Sequence, residues 1–243
     1  MAQTIPILVL RLEGVLQSWG EHSKWNWRDT ADMPTKSGVI GLLGCALGLE
    51  RSSPQLAELS RELTIAVRAD RPGRQMTDFQ SVQSDRLLKA NGELRSGGNT
   101  LISFRSYLQD ACFTVVLTGE DKILKKLEQA LKKPKWPIYL GRKSCVPTRP
   151  VLDKITYEYT TLEEALQKLP RAKRSGEKQE NASVLIETDI DIDEKQNQNG
   201  TQYLRTDGIA PGQRNFLCRR VIRKPITIKE ANHVPEQNTT GSP

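Results

Sequence analysis

The segment from Pro34 to Glu50, PTKSGVIGLLGCALGLE, limits most sharply what this chain can fold into. Its apolar residues read as a helix, and Gly38, Gly41, Gly44 and Gly48 recur at spacings of three and four, along one face. Each glycine inside a helix costs up to about 1 kcal/mol relative to alanine. Four of them call for a compensation, and close approach of that face to a sheet or another backbone is the expected one. The apolar stretch is too short to span a bilayer, which removes the membrane reading of small residues at this spacing. Pro34-Thr35-Lys36-Ser37 supplies the residues that start such a helix.

Upstream, Ile5 to Leu12 (IPILVLRL) is a near-continuous apolar run of strand length, suited to a central strand. Gly14 to Trp27 carries three of the four tryptophans but no period, and reads as irregular. Downstream, a short helix over Leu56–Leu63 and a strand over Thr64–Val67 precede a polar, glycine-rich stretch, 71–103. Asn91-Gly92 and Gly97-Gly98 mark turns in it, so an inserted hairpin is expected. A strand is predicted over Phe104–Leu117 and an amphipathic helix over Asp121–Leu131, ended by Pro134 and Pro137. Further on, strands are expected at Val151–Tyr159, Ser183–Ile192 and Phe216–Ile228, and a helix at Leu162–Leu169. Residues 171–181 and 194–202 read as loops, and the last dozen residues as a disordered tail. Strand, helix, strand, insertion, strand, helix approximates a ferredoxin-like, RRM-like α+β unit.

Charge and cysteine content narrow the function classes. Thirty-six Lys and Arg against 29 Asp and Glu leave a net charge of +7, which favours a polyanionic partner. The four cysteines form no CxxC pair, which argues against a zinc ribbon or redox dithiol. No signal peptide or membrane span is legible, so a reduced, cytoplasmic setting without membrane contact is expected. Only His22 and His233 are present, and no GxSxG accompanies them, so nucleophilic catalysis lacks its usual base. Tyrosine and lysine are available, which leaves metal-independent RNA cleavage open. Asp189, Asp191 and Asp193 alternate along a strand. Without a glycine turn or distal glutamate they read as an acidic strand face rather than a metal site. No cofactor is implied.

The strongest binding signal runs from Lys132 to Arg149, KKPKWPIYLGRKSCVPTR. From Lys122 to Arg149 there are nine basic residues and one acidic residue, Glu128. Trp136 and Tyr139 are interleaved with them, the mixture that single-stranded RNA uses: cations for phosphates, rings for bases. Gly141 allows close backbone approach to phosphate, and Arg142, Lys143 and Ser144 follow as donors. A second candidate is the helix start, where Lys36, Ser37 and Gly38 combine free backbone N–H groups with a charge. A third is Arg105 with Tyr107, which share a strand face by the two-residue period. Arg214, Arg219, Arg220, Arg223 and Lys224 make the last strand basic.

GVLQSWG, MPTKSGVIGLLGCALGLER, SFRSYLQDACFTVVL and KPKWPIYLGRKSCVPTRP together resemble CasD-type subunits of type I-E CRISPR Cascade, within the repeat-associated (RAMP) superfamily. The likeness covers about residues 5–152. It implies a ferredoxin-like palm in residues 1–155 with a β-hairpin thumb at about 78–103, a β-rich extension over 156–228, and a tail at 229–243. It further implies a non-catalytic subunit that caps the 5′ handle of the crRNA. Lys36, Ser37, Arg105, Tyr107, Tyr139, Gly141, Arg142 and Lys143 would meet the RNA. The backbone-forming subunit and the large PAM-reading subunit would be its neighbours, and target DNA an indirect partner.

Overall fold

A computed structural model describes residues 3–89, 91–94, 100–172, 182–189, 199–211 and 216–228, which form eleven strands and four helices. Strand β1 (Ile7–Glu13) lies inside an antiparallel sheet, and its side chains divide by the strand period. Leu8, Leu10 and Leu12 enter one apolar layer, while Ile7 and Val9 enter the other. Burial on both faces is why IPILVLRL is apolar without alternation.

The chain continues through the two-residue strands β2 (Leu16–Gln17) and β3 (Trp27–Arg28) into helices α1 (Lys36–Leu47) and α2 (Pro54–Glu62). Then follow β4 (Thr64–Arg71), β5 (Arg74–Gln83), β6 (Thr100–Gln109), β7 (Cys112–Thr118), α3 (Asp121–Lys132) and β8 (Leu152–Thr156). The order β8-β1-β7-β4 is antiparallel throughout, with helices connecting β1 to β4 and β7 to β8. That is the ferredoxin-like palm predicted from sequence. Helix α4 (Leu162–Lys168) and strands β9 (Ala182–Asp189), β10 (Thr201–Ile209) and β11 (Phe216–Ile228) follow. They extend the palm sheet past β4 in the order β9-β11-β10. Strand β10 was not foreseen; it pairs antiparallel with the basic β11, with a register shift between Thr206 and Gly208, and polar residues such as Thr206 and Asp207 hide its pattern.

Strands β5 and β6 form the predicted hairpin, in register from Arg74↔Gln109 to Gln83↔Thr100. On the far side of β6, β2 pairs antiparallel and β3 parallel, giving a second, four-stranded sheet. The single strand expected over Phe104–Leu117 is in fact two, β6 and β7, split at Asp110–Ala111. Asp110 sits in the left-handed region (φ 56°), where a short polar side chain is tolerated. One residue thus transfers the chain from hairpin to palm inside an unbroken β-rich sequence.

Helix α1 also differs from expectation. It ends at Leu47, and Gly48 is its left-handed cap (φ 71°), so only three glycines lie within it. A Cβ at Gly38 would stand 2.8 Å from the Trp19 ring, and Gly44 faces Leu56, while Gly41 faces open space. The compensation is therefore packing on two side chains rather than on backbone.

Helices α1, α2 and α3 cover one side of the palm through Val39, Ile40, Leu43, Leu59, Leu124 and Leu127. Helix α4 covers the other through Ala165, Leu166 and the following Leu169. The far end of that second side is polar and fully enclosed. Asp70 accepts from Arg68 Nε (2.6 Å), Arg11 Nη1 (3.0 Å) and Thr114 Oγ1 (2.6 Å). Arg68 also donates to the carbonyls of Leu166, Leu169 and Pro170, where the C-terminus of α4 favours a cation.

Candidate nucleic-acid interface

The stretch Gln17-Ser18-Trp19, aperiodic in sequence, is the junction on which the candidate site is built. Gln17 Nε2 donates to the carbonyls of Leu12 (3.0 Å) and Ala111 (2.8 Å), and its Oε1 accepts from Trp19 Nε1 (3.1 Å). Ser18 Oγ donates to the Ser106 carbonyl (3.1 Å) and Ser18 N–H to Leu140 (3.1 Å). Ser18 thereby ties the hairpin to the segment after α3, and Trp19 packs on the start of α1.

That post-helix segment is a strap across the molecule. Its backbone N–H groups at Lys135 and Trp136 donate to Ala46 and Cys45 at the end of α1. Tyr139 is partly buried beside Cys45, and burial together with that neighbour pushes its phenol pKa up, so it stays protonated and able to donate. At Gly141 (φ 86°) a Cβ would overlap the Ser18 carbonyl. The close approach predicted there is real, but the backbone that approaches is the chain's own.

Arg142 is likewise engaged internally. Its Nη2 donates to the carbonyls of Arg28 (3.0 Å) and Asp29 (3.2 Å), and its guanidinium lies 4.7 Å over the Tyr107 ring. Tyr107 is only 4% exposed. The cation–ring pair is thus Arg142 with Tyr107, not Arg105 with Tyr107, because Tyr107 lies at the root of the hairpin under the strap. Arg105, farther out, pairs in register with Asp78 and Arg28, and its buried Nε has no hydrogen-bond partner. Lys143 and Ser144 are exposed, and Lys143 has no ion pair among the described residues.

The start of α1 has received an anion from the chain itself. Lys36 N–H donates to Asp207 Oδ2 (2.7 Å), and Lys36 Nζ lies 3.5 Å from Asp189. Gly38 N–H is capped by Thr35 Oγ1 (3.2 Å), and Thr35 Oγ1 lies 3.4 Å from Ser37 Oγ. Asp207 and Asp189 are also paired with Arg219. Burial would raise the Asp207 pKa, but the hydrogen bond and charge of Arg219 outweigh it and hold it below the usual carboxylate value. Glu187 receives Arg205 (2.7 Å) and Arg223 (2.8 Å), and Arg223 also reaches Asp32 (2.6 Å). Lys224 pairs with Glu163 (2.8 Å). Most of the basic character expected of β11 is therefore neutralised inside the protein, and Arg220 remains exposed. Asp191, Asp193 and Arg214 lie outside the described residues. Asp189 serves as an ion-pair partner, as the acidic-face reading of that strand allows.

Sequence reasoning missed an aromatic surface. Trp27, Phe104 and Phe79 stand side by side across β3, β6 and β5, with centroids 5.3 and 5.6 Å apart. Two residues before Trp27, the exposed Trp25 carries the Arg28 guanidinium over its ring, 5.9 Å from the centroid. The tryptophan excess of residues 14–27 was the available signal; the rows that align these rings exist only after strand pairing. Arg51, Lys133, Lys135 and Lys143, on the strap and its neighbours, have no ion pair among the described residues, and the same holds of exposed cations elsewhere such as Lys24, Arg74 and Arg220. No described helix is long and apolar enough to cross a membrane.

A ferredoxin-like palm carries a hairpin that continues from its β4 and β7 strands, and a basic strap joins the two. A family model described as CRISPR-associated protein (Cas_Cas5) matches residues 7–222. The chain is 36% identical over 153 residues to the CRISPR system Cascade subunit CasD of Escherichia coli (strain K12), covering 59% of this chain and 68% of that protein. Among solved structures, a chain of a CRISPR RNA-guided surveillance complex superposes with a TM-score of 0.73 at 30% identity, over 91% of this chain and 90% of that one. A crystal structure of a Cas protein gives 0.67 at 33% identity, over 93% and 98%. The chain belongs to the CRISPR-associated Cas5 family.

Proposed function

We propose that this protein is a non-catalytic subunit of an RNA-guided surveillance complex and holds the 5′ handle of the crRNA. The observation that carries this reading is the strap: Lys133, Lys135 and Lys143 are exposed and free of internal ion pairs, interleaved with Trp136 (40% exposed) and half-buried Tyr139. Cations on an extended segment track phosphates, and rings beside them accept unpaired bases. The match to a solved surveillance-complex chain supports the setting, in which a backbone-forming subunit and a large PAM-reading subunit are the neighbours. Arg142 and Gly141 act as positioning residues that shape the strap, while Lys143 and Ser144 face the RNA. Non-catalysis rests on chemistry: the exposed His22 donates its backbone N–H to Asp29 (2.7 Å), and no described side chain partners its ring.

The test uses the purified full chain and a single-stranded repeat RNA in chelator. Lys133→Ala, Lys135→Ala and Lys143→Ala together are expected to weaken binding at least tenfold and flatten its dependence on log salt by about 0.7 per lost phosphate contact. Unchanged affinity and slope overturn the strap assignment. Discrete RNA cleavage overturns the non-catalytic assignment and favours a metal-independent endoribonuclease.

A further inference from the structure

The aromatic row on the second sheet is larger and more open than folding needs. Trp25 is 64% exposed, Trp27 48% and Phe79 58%, although burying each ring would be favourable. Backbone hydrogen bonds hold the row in place: Phe104 N–H donates to Asn26 O (2.9 Å) and Lys24 N–H to Trp27 O (2.7 Å). Register sets Trp27 opposite Phe104 and Phe104 opposite Phe79, so the three rings occupy one face at successive strand positions. Arg28 and Arg105 face each other across the neighbouring register position, on the reverse face, and the Arg28 guanidinium lies over the Trp25 ring, 5.9 Å from its centroid. The nearby carboxylates are already occupied. Asp29 accepts from the backbones of Glu21 and His22 and from Ser23 Oγ, and Asp78 accepts from Gln80.

We infer that Trp27, Phe104 and Phe79 form a stacking platform for two or three unpaired bases of single-stranded RNA. Rings spaced along one sheet face, and joined to the cation-bearing strap where Arg142 donates to the Arg28 carbonyl, suit unstacked bases joined by phosphates. The inference rests on the RNA-binding reading above and adds a second, base-directed contact to the phosphate-directed strap.

Two oligonucleotides separate these contacts: an eight-nucleotide single-stranded RNA and its abasic counterpart with the same sugar–phosphate chain. For the full chain, Phe79→Ala and Trp27→Ala are each expected to weaken intact RNA about fivefold or more and leave abasic RNA unchanged. The salt slope should be unaltered. Trp27→Phe should restore most of the loss, and intact RNA, not abasic RNA, should quench tryptophan emission. Equal melting temperatures among these variants confirm that folding is unchanged; Phe79 is exposed on the hairpin, so its variant folds irrespective of Trp27. If wild-type protein binds intact and abasic RNA alike and the ring variants change nothing, the platform is overturned while the strap reading survives. If wild-type protein binds no RNA, both are overturned.

Discussion

At Gly141 a residue chosen for its missing side chain decides how two elements meet. Its positive φ is costly for any L-residue with a side chain, and a Cβ there would overlap the Ser18 carbonyl. Gly141→Ala is expected to destabilise the protein by about 2–4 kcal/mol, read as a lowered urea midpoint at unchanged m-value. Gly92→Ala, also at positive φ but with open space around it, should cost only the backbone strain, about 1 kcal/mol. Thiol chemistry divides at the same scale. Burial pushes the Cys112 pKa up to about 12 and raises that of Cys145, whereas Cys218 is exposed. In the native protein Cys218 should react first with a thiol reagent, and Cys112 only on unfolding.

Among the elements, the hairpin is the most separable. Its outer residues alternate between half-buried and exposed, and the buried residues of β6 are confined to Ser103 and Ser106–Leu108. Gln83 and Thr100 are register partners, so a two-residue Asn-Gly turn can join them in place of 84–99. The shortened protein is expected to keep a cooperative melt within a few degrees of the full chain, because none of the described residues removed is buried. A broad, non-cooperative transition would show that the hairpin stabilises the palm. The strap is the opposite case: it lacks regular structure, yet its backbone is tied by hydrogen bonds to α1, Ser18 and itself, which fixes the path along which its cations are carried.

For the whole molecule, ion pairs join the C-terminal strands to the first thirty-six residues. Lys36, Arg205, Arg219 and Arg223 meet Glu21, Asp32, Glu187, Asp189 and Asp207 across β9, β10, β11, the loop before α1 and α1 itself. Burial of Asp207 is outweighed by Arg219, so its folded pKa lies below the ordinary value of 3.8. A carboxylate depressed in this way stabilises above its unfolded-state pKa and loses that contribution as pH falls through the folded value. Asp207→Asn is therefore expected to lower stability by about 2–4 kcal/mol at pH 7. The gap from wild type should narrow as pH falls below 3.8 and close once pH passes the lowered folded value, as followed by denaturant melts across pH.

The palm was legible because its strands and helices carry their own periods: IPILVLRL, the glycine helix and DKILKKLEQAL each state a face to bury. The basic, ring-bearing strap was legible for the same reason, since local composition concentrates its chemistry in one run of sequence. Tertiary structure alone decided which charges remain available. Arg142, Lys36, Arg219 and Arg223 look as free as Lys143 in the sequence, yet strand pairing brings carbonyls, a ring or carboxylates against them. Only the second sheet could assemble Trp27, Phe104 and Phe79, residues up to 77 positions apart in the chain, into one row. Charge type and hydrophobic period are local properties; partner choice depends on long-range register, which no local pattern encodes.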